Sequence, residues 1–342
     1  MASYIGRNFS PYKYSYRILR KVRCKKMYFC TKPEDNFTTV RLSNRGHIKV
    51  VGEDSVRFLQ NLVTNDVNLF HCDNLMNSLY TMMLSTKGRV LYDFILYKQE
   101  NEAKEFLIEC DIDAVDGILN TFKPYKLRSK VTFDDVSEDY NSWAVIEEDS
   151  VTGLKRTKND SKGVILAKDP RVLSLGSRLV LANGRCPTEY FSNVKATNDQ
   201  NVYDNHRVSL GICEGIKDIE PGVPLPLEFN IAELHGVSFQ KGCYIGQELT
   251  ARSYHTGVIR KRLLPIKILP TSREERLDFD RGAVILTNEG KRAGKLISVY
   301  GAIGLGLIRL QALKAGDILS IAVSDERAVN ITVDQPAWLN LS

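Results

Sequence analysis

The sequence lacks most of the signatures that announce a cofactor. It has no C-x-x-C pair, no phosphate-cradling G-x-x-x-x-G-K-[ST] loop and no dinucleotide-binding glycine pattern. A locally encoded zinc site is therefore excluded, and a nucleotide cofactor is not expected. Its seven cysteines, at 24, 30, 72, 110, 186, 213 and 243, are odd in number and widely scattered. That argues against a disulfide framework and fits dispersed, reduced thiols. The five histidines stand apart from one another. No apolar run approaches the roughly 18 residues of a membrane span, so none is expected. No internal repeat or low-complexity tract is visible.

Acidic residues are missing from one end. Residues 1–33 carry nine Lys and Arg and no Asp or Glu before Glu34. This leader is rich in Arg, Ser and Tyr and has no apolar core of the secretory kind. It reads as a mitochondrial transit peptide over 1–34. The competing reading is a basic tail for nucleic acid or a membrane surface. The formal charge of +6 belongs to this leader, because beyond it 38 basic residues face 41 acidic ones, a net of −3. The body thus has no global pull toward nucleic acid, and no such partner is expected.

At 342 residues the chain exceeds one ordinary core, so two or three domains are expected. From 35 to 257 short strands and helices alternate, which predicts an α+β body. Val40–Leu42 and Ile48–Val51 flank a turn at Ser43–Gly46 and predict a hairpin. Asp54 is placed to cap a helix whose apolar stripe is Val56, Leu59, Leu62 and Val63. A second hairpin joins Leu79–Leu84 to Val90–Tyr97 through Gly88. Within it, Asp93 is a carboxylate in an apolar strand, either satisfied by hydrogen bonds or facing a pocket. Phe106–Cys110 predicts a strand, Asp113–Lys123 a helix, and Tyr125–Phe133 and Trp143–Ile146 extended chain. The polar run 147–163 predicts a surface loop. Strands are expected at Val164–Leu166, Ser177–Leu181 and Tyr190–Phe191, with a short helix at Tyr203–Leu210. The three prolines of Glu220–Asn230 require extended or turning chain. From 258 to 342, six short strands separated by turns such as Asn288–Lys291 and Lys314–Asp317 predict a small β-barrel.

The densest motif is Lys241-Gly-Cys-Tyr-Ile-Gly-Gln-Glu248, continued through Leu249, Thr250 and Ala251 to Arg252. A helix is expected to follow the cysteine, with Ile245 and Leu249 four apart and Gly257 as its stop. A thiol near a helix N-terminus, beside Lys241, would favour thiolate, the form that attacks electrophiles and binds soft metals. Gly242 and Gly246 would let the backbone turn tightly there or let a ligand approach. On residue types alone, Cys243 reads equally as a small buried packing residue. His255 is the nearest histidine, and sequence distance does not make it a catalytic partner. Glu248 and Arg252 either pair on the helix surface at i, i+4 spacing or line a pocket with Gln247.

This motif resembles the signature of the YgfZ/GcvT-like family, relatives of the folate-dependent aminomethyltransferase of glycine cleavage. The similarity extends through Pro226–Asn230, Gly236–Phe239 and Gly257–Leu263, and upstream through Phe58–Asp66 and Lys87–Asp93. It covers nearly all of the chain after the leader, most weakly over 135–200, and an eight-residue motif in this context is highly specific. The resemblance implies a three-domain ring with a central cavity: two interleaved α+β domains followed by a small C-terminal β-barrel. With the leader, it is closest to the family's mitochondrial member, which serves iron–sulfur cluster assembly in the matrix. It implies that Cys243 is the signature cysteine, a cluster ligand or transfer thiol, with Lys241 and Arg252 as working residues. Gly242, Tyr244, Gly246, Gln247 and Glu248 would support it. A transient [2Fe–2S] cluster shared with an A-type carrier, and [4Fe–4S] clients such as aconitase and lipoate synthase, are the implied cargo and partners. Asp93, Arg89, Tyr92 and Asn65 are the corresponding candidates for a tetrahydrofolate cavity.

The chain departs from the enzymatic relatives. They carry paired aspartates at the end of the second hairpin, whereas here Asp93 stands alone after Tyr92. Their carboxylate for the pterin is offset to Glu214 here. The fold implied is transferase-like, and the alternative function is a folate-dependent one-carbon transferase working through Asp93.

Overall fold

The structure, a computed structural model, describes residues 37–72, 76–98, 104–147, 153–155, 163–269, 279–313, 319–324 and 327–341. The leader, most of the loop expected at 147–163, and the Lys314–Asp317 turn lie outside these residues.

In chain order the elements of the body are β1 (Phe37–Arg41), β2 (Arg45–Val51), α1 (Ser55–Leu62), α2 (Leu69–Cys72), β3 (Ser78–Leu84) and β4 (Val90–Lys98). There follow β5 (Glu105–Asp111), α3 (Val115–Lys126), β6 (Thr132–Asp135), β7 (Tyr140–Ile146), β8 (Ile165–Lys168), β9 (Ser177–Ala182) and β10 (Val194–Thr197). Three helices complete it: α4 (Gln200–Ser209), α5 (Gly215–Asp218) and α6 (Gln247–Thr256). The strands form two five-stranded sheets, ordered β10-β1-β7-β9-β8 and β3-β4-β5-β2-β6. The chain enters the first sheet with β1, builds the whole second sheet, and returns to the first with β7. The two sheets are therefore interleaved in sequence.

That topology corrects the first expected hairpin. β1 pairs with β7 and β10, whereas β2 pairs with β5 and β6. Local alternation is satisfied either way; buried chemistry beyond the turn decides. Arg45, the first residue of β2, places its Nε 3.0 Å from Glu109 Oε1 on β5, with both side chains buried. Gly46 lies so close to Ile112, Val115 and Ser137 that a Cβ would sit within 2.9 Å of each. Together these hold β2 against β5.

The β3–β4 hairpin forms as expected, pairing Met82 with Asp93, and Gly88 turns it at φ +72°. α1 buries Phe58, Leu59 and Leu62. Asp54 is its N-cap, as expected, but its side chain makes no capping hydrogen bond and instead accepts from the Lys130 amide at 2.7 Å. The extended chain expected at Tyr125–Phe133 is also corrected. α3 continues to Lys126, with Pro124 in its last turn and Leu127 at φ +43° ending it, and only Thr132–Asp135 is strand. Near Tyr190 a 3-10 turn at Pro187–Glu189 replaces the expected strand, which begins at Val194.

The C-terminal part is a closed barrel, as expected. Its strands are β11 (Lys261–Ile268), β12 (Val284–Leu286), β13 (Arg292–Tyr300), β14 (Ile303–Arg309), β15 (Leu319–Ser324) and β16 (Arg327–Val333), joined in the order β11-β14-β13-β12-β15-β16. Closure leaves no free edge. Leu264, Ile266, Ile285, Leu296, Ile308, Ile321 and Ile331 fill its core. Among the described residues no helix is long and apolar enough to cross a membrane.

Candidate functional site

The loop before α6 carries Cys243, and three anchors hold it. The first is Lys241, whose ammonium donates to the carbonyls of Gln60, Val63 and Asn65 at 2.7, 2.7 and 2.8 Å. These carbonyls lie at and just beyond the C-terminal end of α1, where carbonyls lack helical partners and a cation is favoured. Burial pulls Lys241 down to about 8, with Asp66 opposing. Tyr244 packs beneath, its ring centroid 5.1 Å from the ammonium. The second anchor is backbone pairing: Ser238 N donates to Thr64 O and Ile245 N to Asn61 O. Gln247 Oε1 closes the loop by accepting from Tyr244 N at 3.1 Å.

The third anchor is a contact between two glycines. Gly246 adopts φ +75°, and a Cβ there would fall 2.3 Å from Ser85 O. Across from it, Gly88 at the hairpin tip would carry a Cβ 3.0 Å from Gly246 O. The motif loop and the β3–β4 hairpin thus meet where neither backbone tolerates a side chain. Gly242 is different: no atom lies within 4 Å of its would-be Cβ, and its backbone is not left-handed.

Cys243 itself is exposed. The reading of it as a buried packing residue is therefore overturned. Its expected position at a helix N-terminus is corrected too, because α6 begins at Gln247 with Gly246 as N-cap. The dipole's influence is confined to the terminal turn, and Lys241's three N–H groups are all occupied by carbonyls. His255 makes no hydrogen bond to the cysteine. It packs edge-on against Tyr254 and Phe239, which stack on each other at 3.6 Å. Glu248 and Arg252 form the i, i+4 pair at 3.8 Å, both largely exposed, a contact worth little. Among the described residues no group of three His, Cys, Asp or Glu side chains is arranged to hold a metal.

The four folate candidates do not converge. Asp93 is buried, accepting from Gly215 N at 3.1 Å. Burial raises its pKa against the pull of Arg45. Asn65 donates to Tyr80 O and His235 O. Arg89 donates to Val223 O on the outside of the hairpin. Tyr92 is half-buried with its hydroxyl against Gly117 of α3. No hydrogen bond or ion pair joins any two of them.

Between the sheets lies a buried ionic cluster that the sequence reading missed. Arg178 on β9 reaches Glu109 at 2.9 Å, Asp169 at 3.1 Å and Glu214 at 2.5 Å. Arg171 pairs with Asp169 at 2.7 Å and Glu214 at 2.8 Å, and Tyr203 also donates to Glu214. Glu109 further accepts from Arg45, Tyr97 and Ser142. Burial alone would raise these carboxyls, but the guanidinium groups around them outweigh it and hold Glu109, Asp169 and Glu214 below the usual carboxylate range. A neighbouring knot joins Arg207 to Asp204, Asp218 and Tyr300. Glu214, at the pterin carboxylate's offset position, is thus committed to two arginines. The available signal was a charge inside an apolar strand, Glu109 in β5 and Arg178 in β9, the same signal that singled out Asp93.

Comparison with known proteins completes the description. Residues 260–341 match the model of the CAF17 C-terminal beta-barrel domain. The chain is 36% identical over 317 residues to "Iron-sulfur cluster assembly factor IBA57, mitochondrial" of Mus musculus, covering 88% of this chain and 85% of the relative. The Homo sapiens protein of the same name is 36% identical over 310 residues, covering 87% and 84%. A Mycosarcoma maydis homologue is 32% identical over 315 residues, covering 83% and 76%. Among solved structures, the glycine cleavage system aminomethyltransferase T of Bartonella henselae superposes with a TM-score of 0.65 at 15% identity, covering 90% of this chain and 87% of that one. That likeness shows a GcvT-like fold and nothing about activity.

Proposed function

Since the chain belongs to the IBA57 family of mitochondrial iron–sulfur cluster assembly factors, we propose that it is a matrix protein that hands on iron–sulfur clusters with a partner, through Cys243. The observation that carries this reading is that the Cys243 thiol is exposed on a loop fastened at three places. A thiolate is the ordinary ligand of such clusters. One cysteine cannot hold a cluster alone, and among the described residues no group of three His, Cys, Asp or Glu side chains is arranged to hold a metal. On this reading the remaining ligands come from another protein. An A-type carrier that brings a [2Fe–2S] cluster as cargo suits this role, and [4Fe–4S] proteins such as aconitase and lipoate synthase are the proposed clients. The chain's part is to present the sulfur at a fixed place: Lys241 ties the loop to α1, and Gly246 seats it on the hairpin.

Mixing the reduced protein with an A-type carrier and a cluster source tests the reading by absorption spectroscopy. The wild-type chain should give a cluster-bearing heterocomplex. Cys243→Ser should fold with stability within about 0.5 kcal/mol, as expected for an exposed site, yet leave the complex without its cluster bands. Unchanged bands would sink the ligand role. The rival, one-carbon transfer through Asp93, has less support, because that carboxyl is buried against Gly215. Tetrahydrofolate turnover lost in Asp93→Asn would favour it.

A further inference from the structure

The seam between α6 and the barrel holds a cavity for which the Cys243 reading has no use. It encloses about 470 Å³ between the Leu225–Glu228 turn, one side of α6, and strands β11 and β14. That is within the range of small-molecule sites. Leu225, Leu227 and Leu249 give it an apolar wall, and Arg260, Lys261 and Arg309 bring cations to its rim. Its one carboxylate, Glu228, pairs with Lys261 at 3.3 Å. Neither Arg260 nor Arg309 has an ion-pair partner among the described residues.

Two independent observations point to a ligand. The first is the strand register. Lys261 and Arg309 stand directly opposite each other on β11 and β14, an unfavourable pairing of like charges, and Glu228 pairs with Lys261, which leaves Arg309 without a counter-charge among the described residues. An adjoining smaller cavity of about 210 Å³ adds Arg292 and Lys295, with no carboxylate in its lining. The second is Thr250 of α6. It lines the larger cavity and is 2% exposed, and its hydroxyl has no hydrogen-bond partner. An unpaired buried hydroxyl costs free energy that a valine of the same shape would not.

We propose that this cavity binds a small amphipathic organic anion. Its carboxylate or phosphate head lies against Arg309 and Arg260. Thr250 supplies a hydrogen bond, and the apolar body rests on Leu225, Leu227 and Leu249. The site abuts the helix into which the Cys243 loop leads, but its chemistry is separate from the thiol's.

Isothermal titration of the full chain with phenyl phosphate, benzoate and inorganic phosphate tests this. One aryl anion should bind saturably at one site in the millimolar range or tighter, and the stronger of the two identifies the head group. Inorganic phosphate, lacking the apolar body, should be at least about tenfold weaker. Arg309→Ala should weaken the aryl anion about tenfold. Thr250→Val should weaken it by a similar factor while raising the Tm of the ligand-free protein. Cys243→Ser should leave the affinity unchanged, so failure of the cluster reading and failure of this one are distinguishable. Absence of saturable aryl binding would overturn the proposal. So would inorganic phosphate binding as tightly as the aryl anions, affinity indifferent to Arg309→Ala, or a lower Tm in Thr250→Val.

Discussion

The Cys243 loop and the ionic cluster between the sheets use charge in opposite ways. In the loop one cation, Lys241, is surrounded by backbone carbonyls, and the Cys243 thiol is left facing solvent. In the cluster cations and carboxylates pair with each other, away from solvent. The GcvT-like fold therefore keeps its overall course while its middle is held by Arg45, Arg171 and Arg178 against Glu109, Asp169 and Glu214. On the function proposed above, chemistry belongs to the exposed loop, where a second protein can reach it. A buried ion pair is not in itself strong evidence of stability, because desolvation offsets much of the attraction. Removing one partner is another matter.

The comparison breaks most sharply at Arg178. Arg178→Ala leaves three carboxylates short of a shared guanidinium and should destabilise the chain by roughly 3–5 kcal/mol, read from urea unfolding. A loss below about 1 kcal/mol would mean that the cluster is slack and the contrast with the loop misplaced.

The next largest effect is a pH dependence. His47, hydrogen-bonded to Ser142 beside Glu109, is pushed down to about 4 by burial, with Glu109 and Asp135 opposing and Arg45 assisting. The unfolded chain therefore binds a proton that the folded chain refuses between pH 6.5 and 4. Stability from this group is complete above about 6.5 and falls as pH drops through that window, by on the order of 3 kcal/mol. His47→Gln, which keeps a donor for Ser142, should flatten that acid limb. A limb unchanged by the substitution would assign the loss to other groups.

The smallest effects sharpen the loop itself. Gly246→Ala meets Ser85 O and an unfavourable φ, and should cost about 1–3 kcal/mol. Gly242→Ala, with open space around it, should stay within about 0.5 kcal/mol. Paired thermal melts check both. Equal costs would mean that the loop is not fastened where the glycines meet.

Legibility from sequence divided along the same line. All six barrel strands could be read, because each is short, apolar and ended by its own turn. So could the β3–β4 hairpin with Gly88, and α6 with its stop at Gly257. The motif around Cys243 was visible because its residues are adjacent. The ionic cluster was not: Arg45, Glu109, Asp169, Arg178 and Glu214 come from separate segments, and no local spacing joins them. The β1–β2 hairpin was misread for the same reason. Alternation along the chain gives a strand its two faces without saying which sheet receives it, and that was decided by Glu109, 64 residues beyond Arg45.

The interleaving has a consequence for how the molecule is made. β1 sits between β7 and β10, and Thr39 donates to Lys195 O across 156 residues. Closing a loop of that length precedes any gain from the pairing, which slows folding relative to local hairpins. As the chain emerges, the second sheet can pair internally while β1 waits for strands not yet present. β1 is thus among the last strands to settle, and an N-terminal fragment ending before residue 197 would leave its parallel edge open to foreign strands.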